Sequence, residues 1–188
     1  MGNILGSEKR EVPIEKIFRE ACVQGRVEDV KSIIISRLRA GEDITAMMSE
    51  LGINSDGQSS TPLMEAAWYE HSAVVKVLLE YNASMYNKYG SNALHHAAWV
   101  NEKRTTTVQL LLNNMKLEDI NHKNDNGDTP LDMCYKYNDS SIKKKLIKLI
   151  RKKGGKRGNE LEEAGGKGKG YKWWGGVNSR YNAQELKF

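Results

Sequence analysis

An all-α array of repeated helical units is the fold class this chain predicts, and three observations predict it. A turn that runs straight into a helix start occurs three times, at Ser59–Leu63, Gly90–Leu94 and Asn121–Leu131. Pairs of small residues, Ala66-Ala67 and Ala97-Ala98, follow two of these starts and let two helices approach closely. Apolar residues in the flanking segments fall at three- and four-residue spacings, the period of a helix face.

The clearest copy of the motif is Asn121–Leu131, and each residue in it has a physical job. Gly127 supplies a positive-φ turn position. Thr129 offers a capping hydroxyl. Pro130 suits the first helical turn, where a missing N–H costs nothing. Leu131 begins the apolar face. Thr61-Pro62-Leu63 repeats this grammar, and Asn92-Ala93-Leu94 is a weaker form of it. On these motifs, with the paired small residues and Leu110-Leu111-Leu112 in register, the chain resembles the ankyrin-repeat family over about residues 15–151. The resemblance implies an all-α ankyrin-repeat solenoid of helix-turn-helix units with short β-hairpin connections. It implies about four repeats, the first and last being divergent caps. The tails at 1–14 and 152–188 fall outside it and are expected to be disordered or ordered by a partner.

Taken in order, Met1–Ser7 looks like an N-myristoylation signal at Gly2, with Gly6 where the usual form has Ser or Thr. The first repeat lacks the Thr-Pro-Leu start. It keeps Phe18, Ala21, Cys22, Val27, Val30, Ile33 and Ile34 at helical spacing, and Gly25 at the family's inter-helix glycine. An insertion at 36–54 follows, where Asp43 or Thr45 can cap a short helix carrying Ile44, Met47, Met48 and Leu51. It reads as a loop whose apolar side folds back on the array, or as a methionine-rich contact for a partner. The second repeat starts at Thr61 and the third at Asn92. Leu63 to Leu94 is shorter than Leu94 to Leu131, and Asn101–Thr106 is expected to lengthen the helix–helix turn of the third. The fourth ends in Ile142–Ile150, a basic amphipathic helix. It reads as a C-terminal cap, or as a membrane or calmodulin-type helix. From Arg151 on, ten Lys and Arg against four Asp and Glu give +6, so the array itself is near neutral at −1. Residues 152–170 are Gly/Lys-rich and too polar to bury a core. Tyr171, Trp173, Trp174, Arg180 and Tyr181 then form a short aromatic motif.

Little in the chain points to catalysis. His71, His95, His96 and His122 have no cysteine at ligand spacing, and no phosphate-binding loop follows a strand. No enzyme activity, metal or cofactor is expected. Cys22 and Cys134 read as reduced, buried thiols of an intracellular, cytoplasmic protein, with membrane or cytoskeletal association as refinements. No apolar run of about 18 residues is present to span a bilayer. What remains is binding. The resemblance implies that the two residues after each small pair project onto a concave face. These are Val23-Gln24, Trp68-Tyr69, Trp99-Val100 and Lys136-Tyr137. Trp68 and Trp99 should then be neighbours about 10 Å apart, one helix layer, with hairpin tips Lys88, Tyr89, Asp125 and Asn126 as the rim. The resemblance also implies that His71 and His95 brace turns by hydrogen bonds. The expected function is a non-catalytic protein–protein adaptor, a peripheral or scaffolding subunit, monomeric by itself, using this face and the tail motif. Two alternatives stand beside it: a membrane-tethered regulator held by an acyl chain on Gly2 and the basic tail, and nucleic-acid binding by the basic aromatic tail.

Overall fold

The computed structural model describes residues 12–49, 52–53, 59–99, 105–137 and 141–165. Four antiparallel helix pairs stack in chain order. They are α1 (Ile14–Val23) with α2 (Val27–Arg39), then, after α3 (Thr45–Ser49), β1 (Gly52–Ile53) and β2 (Ser59–Ser60), α4 (Pro62–Trp68) with α5 (Ser72–Glu80). Next come α6 (Ala93–Trp99) with α7 (Thr105–Asn114), and, after α8 (Leu117–Ile120), α9 (Pro130–Tyr137) with α10 (Ser141–Lys152). Helix α11 (Gly158–Gly165) ends the described chain. First helices form one row, α1–α4–α6–α9, and second helices another, α2–α5–α7–α10.

Helices α4 and α6 are seven residues long, too short to persist alone in water. Packing holds them. Every residue from Pro62 to Ala67 and from Ala93 to Ala98 is buried. One continuous core runs through all four layers, from Phe18, Cys22 and Ile34 through Leu63, Leu78, Leu94 and Leu111 to Leu131, Leu146 and Ile150. Each such leucine, taken out of water, contributes about 2 kcal/mol. The small pairs Ala66-Ala67 and Ala97-Ala98 are wholly buried, where larger side chains would force the layers apart.

The layers are clipped together by one device used three times. The residue at the start of α4, α6 and α9 also reaches backbone in the segment that follows that helix pair. Thr61 Oγ1 accepts from Met64 N–H (3.3 Å) and donates to the Ser84 carbonyl (3.0 Å). Asn92 accepts from the Leu94 and His95 N–H groups, and its Nδ2 donates to the Asp119 carbonyl (2.7 Å). Thr129 Oγ1 accepts from Asp132 N–H and donates to the Lys156 carbonyl (2.8 Å). Histidines add a second clip. His71 Nε2–H donates to the Val23 carbonyl (2.8 Å), and His95 Nε2–H to the Asp128 carbonyl (2.9 Å). The ring of His71 lies over Gly25, whose φ is +71°. A Cβ there would come within 2.4 Å of His71 Nδ1.

Several expectations are refined. The insertion folds back: Asp43 caps α3 through Thr45 N–H (2.8 Å), Met47 and Met48 are buried, and the Met48 carbonyl accepts from Ser84 N–H (3.3 Å). Those methionines are therefore core, not an exposed contact. Leu51 lies outside the described residues. Of the segment expected to lengthen the turn of the third repeat, Thr105 and Thr106 begin α7 and 101–104 lie outside the described residues, while the short helix α8 adds length before the next finger. Structure also continues past Arg151. Helix α10 runs to Lys152, Gly154 turns the chain at φ +84°, and Gly155 and Gly158 are buried. Residues 153–158 bury little apolar surface and are held instead by polar bonds. Asn121 accepts from Lys156 N–H and donates to the Gly154 carbonyl. Asp132 accepts from Gly158 N–H (2.7 Å) and Arg157 Nε (2.9 Å), and Arg151 pairs with Glu160. Composition alone understated this segment because backbone acceptors, not side-chain hydrophobicity, anchor it.

Candidate binding surface

Trp68 and Trp99 end α4 and α6, adjacent helices of the first row. Each follows its alanine pair directly, so the stacking of the pairs brings the two indoles together. Their ring centroids are 5.7 Å apart and cross at 78°, an edge-to-face contact. The side chains thus close the layer spacing expected from the backbone, and the pair bridges two repeats. Such contacts contribute about 0.5–1.5 kcal/mol beyond area burial. Both rings are half-buried. His96 completes the cluster with its ring 6.0 Å from Trp68 at 71°. It sits three residues before Trp99 on the same helix, a spacing that places the two side chains on one face. That spacing is the sequence signal that places His96 with the tryptophans. Burial pushes its pKa down to about 4, so the cluster is uncharged at neutral pH.

Tyr69 is 44% exposed and stacks on His71 at 6.2 Å and 24°, alongside the tryptophans' row but with a different partner. The hairpin tips form a second cluster. Asn87 folds the first tip by accepting from Tyr89 and Ser91 N–H groups, and Asn124 folds the next by accepting from Asn126 and Asp128 N–H groups. Gly90 and Gly127 take the positive φ these turns need, at +69° and +77°. The tips are tied together by Asp125 N–H donating to the Tyr89 carbonyl (3.1 Å). Lys88, Tyr89, Asp125 and Asn126 are all exposed, with Lys88 Nζ 5.0 Å from the Tyr89 ring centroid. Lys136 reaches from α9 to Asp128 at the base of the second tip (2.5 Å). The tips precede α6 and α9, whereas the tryptophans end α4 and α6. The two clusters are therefore separated by about a seven-residue helix length, ~10 Å.

Val23 is half-buried and Gln24 exposed at the corresponding place in the first repeat. Val100, the Tyr137 side chain, Gly2, and the tail residues Tyr171, Trp173, Trp174, Arg180 and Tyr181 lie outside the described residues. His95 is fully engaged in bracing: Nδ1 accepts from Asn92 N–H (3.1 Å), Nε2–H is spent on Asp128, and burial pushes its pKa down to about 3. Cys22 and Cys134 are buried free thiols, each pushed up to about 12 chiefly by burial, which makes them poor nucleophiles. Among the described residues no helix is long and apolar enough to cross a membrane.

The surface is an aromatic centre with a polar rim of mixed charge, an arrangement suited to gripping a polypeptide. A model of ankyrin repeats, in three copies, matches residues 18–121, more than half of the 188-residue chain. The α9–α10 pair lies beyond the matched residues and repeats the same cap-to-backbone clip. No curated protein matches the chain. Ankyrin repeats are generally protein–protein interaction modules and generally non-catalytic. The chain belongs to the ankyrin-repeat family.

Proposed function

We propose that this protein is a non-catalytic adaptor, a peripheral or scaffolding subunit that grips a partner polypeptide on its first-helix face. The edge-to-face pair of Trp68 and Trp99 across two repeats is the observation that carries this reading. Rigid, half-buried aromatic side chains at the centre of a surface are the usual anchors of an interface, each contributing about 2 kcal/mol or more when truncated. The exposed tips at Lys88, Tyr89, Asp125 and Asn126, about one short helix away, add hydrogen-bonding groups of both charges. The Tyr171–Tyr181 segment serves in this reading as a second short motif for another subunit, and the cytoplasm is its place of action.

The test is capture of partners by the full chain and by the Trp68→Ala, Trp99→Ala variant, read by mass spectrometry. Loss of a specific partner from the variant, with helical content and melting profile kept, supports the reading. An identical set of captured proteins would refute it.

A further inference from the structure

We propose a second docking surface on the second-helix row, formed by α7 and α10, whose partner is an acidic amphipathic polypeptide segment. Between Ser141 and Arg157 the chain has nine Lys and Arg and no Asp or Glu. Among the described residues two of the nine are neutralised, Arg151 by Glu160 and Arg157 by Asp132. Lys143, Lys144, Lys145, Lys148, Lys152, Lys153 and Lys156 form no ion pair among the described residues. Lys143 is spent on the Tyr135 carbonyl and ring; the other six are exposed. The opposite end of the array behaves differently. On α1–α2, Arg26 pairs with Asp29, Lys31 with Glu28, and Arg37 with Glu15 and Glu42. A solvated helix face ordinarily mixes signs in this way, while clustered like charges repel one another until an anion arrives.

The lysines also border a groove. Lys145, Lys148, Leu149 and Lys152 stand at i, i+3, i+4 and i+7, one stripe of α10. Leu149, Lys152 and Lys153 line a groove of about 240 Å³ with Gln109, Leu112 and Asn113 of α7. Leu112 and Leu149 give it an apolar lining, Gln109 and Asn113 amides, and Lys152 and Lys153 positive charge. That combination accepts one large apolar side chain flanked by carboxylates. A bilayer fits less well, because Leu146 and Ile150 are fully buried and Ile142 and Ile147 are packed against the core, so no apolar face of α10 remains to insert. Single-stranded nucleic acid fits less well too, because no aromatic ring lines the groove to stack a base.

The surface uses the second-helix row and none of the residues of the tryptophan cluster, so the two proposals can fail separately. The probe is a fluorescein-labelled helical peptide with leucines on one face and glutamates elsewhere, titrated against the full chain by anisotropy. Binding should weaken about tenfold or more in the Lys145→Glu, Lys148→Glu, Lys152→Glu variant, and again as salt is raised. Asn113→Trp, which fills the groove and leaves every lysine charge in place, should also weaken it. Trp68→Ala with Trp99→Ala should leave it unchanged. The proposal is overturned if a lysine-for-glutamate version of the peptide binds as tightly, if the acidic peptide does not bind, or if the charge and groove variants bind it as the wild type does. It is also overturned if phosphatidylserine vesicles or oligothymidine bind through these lysines while the peptide does not.

Discussion

Lowering the pH from 7 to 5 should cost this array a measurable share of its stability, through His95 and His96. Both rings are buried and neutral in the fold, with pKa values pushed down by burial to about 3 and about 4 from an ordinary 6.5. In the unfolded chain both titrate near 6.5. The unfolded state therefore binds more protons than the folded state across this window, and stability rises with pH there. Above about 6.5 both states are neutral and the slope vanishes. Below it, each ring costs about 1.4 kcal/mol per pH unit until its folded pKa is reached. Between pH 6.5 and 5 that is of order 2 kcal/mol per ring and 4 kcal/mol for the pair, a large fraction of the 5–15 kcal/mol typical of a domain. Asp132 does not confuse the window. Burial raises its pKa, but the bonds from Gly158, Arg157 and Thr129 outweigh this and hold it below the usual carboxylate range. Urea titrations followed by far-ultraviolet circular dichroism at pH 7, 6 and 5 read the effect directly. His96→Leu should roughly halve the slope. A midpoint independent of pH between 7 and 5, or one that rises as pH falls, would mean that these rings are not held neutral.

Three further predictions follow from individual contacts. Gly25→Ala places a Cβ at φ +71° against His71 and should lower stability by about 2–3 kcal/mol, visible as a reduced melting temperature. Asp132→Ala removes an acceptor shared by Thr129 N–H, Gly158 N–H and Arg157 Nε–H. It should cost about 2–3 kcal/mol and speed amide exchange at Gly158 far more than at Leu94. A double-mutant cycle on Trp68 and Trp99 should return a coupling of about 0.5–1.5 kcal/mol in the unbound protein, and a value near zero would remove the edge-to-face contact as an energetic link.

Much of the fold was legible because its marks are local. Thr61, Asn92 and Thr129 each start a helix as their chemistry requires, and Gly25, Gly90 and Gly127 each take the left-handed turn their context demands. Positions where chemistry did not announce geometry were harder. Glu70 occupies the same left-handed turn as Gly25, at φ +60°, with no glycine to signal it. The polar anchoring of 153–158 depends on acceptors at Asn121 and Asp132, more than twenty residues away in the chain. Of the site, the adjacency of Trp68 and Trp99 followed from register alone, while the joining of the two hairpin tips by Asp125 and Tyr89 is a backbone bond that no side chain reveals. The loss of α10's apolar face to the core likewise emerges only once α7 and α9 are in place. Before that, the basic amphipathic pattern also admits a membrane or calmodulin-type helix beside the C-terminal cap that its place in the chain favours.

The most direct measurement is the affinity of a captured partner for the wild type and for the Trp68→Ala, Trp99→Ala variant, by calorimetry, with folding checked by circular dichroism. An aromatic anchor on the first-helix face predicts a loss of at least about 2 kcal/mol, roughly thirtyfold in Kd, in a variant that remains folded. Equal affinities in a folded variant would contradict it and place the partner elsewhere on the array.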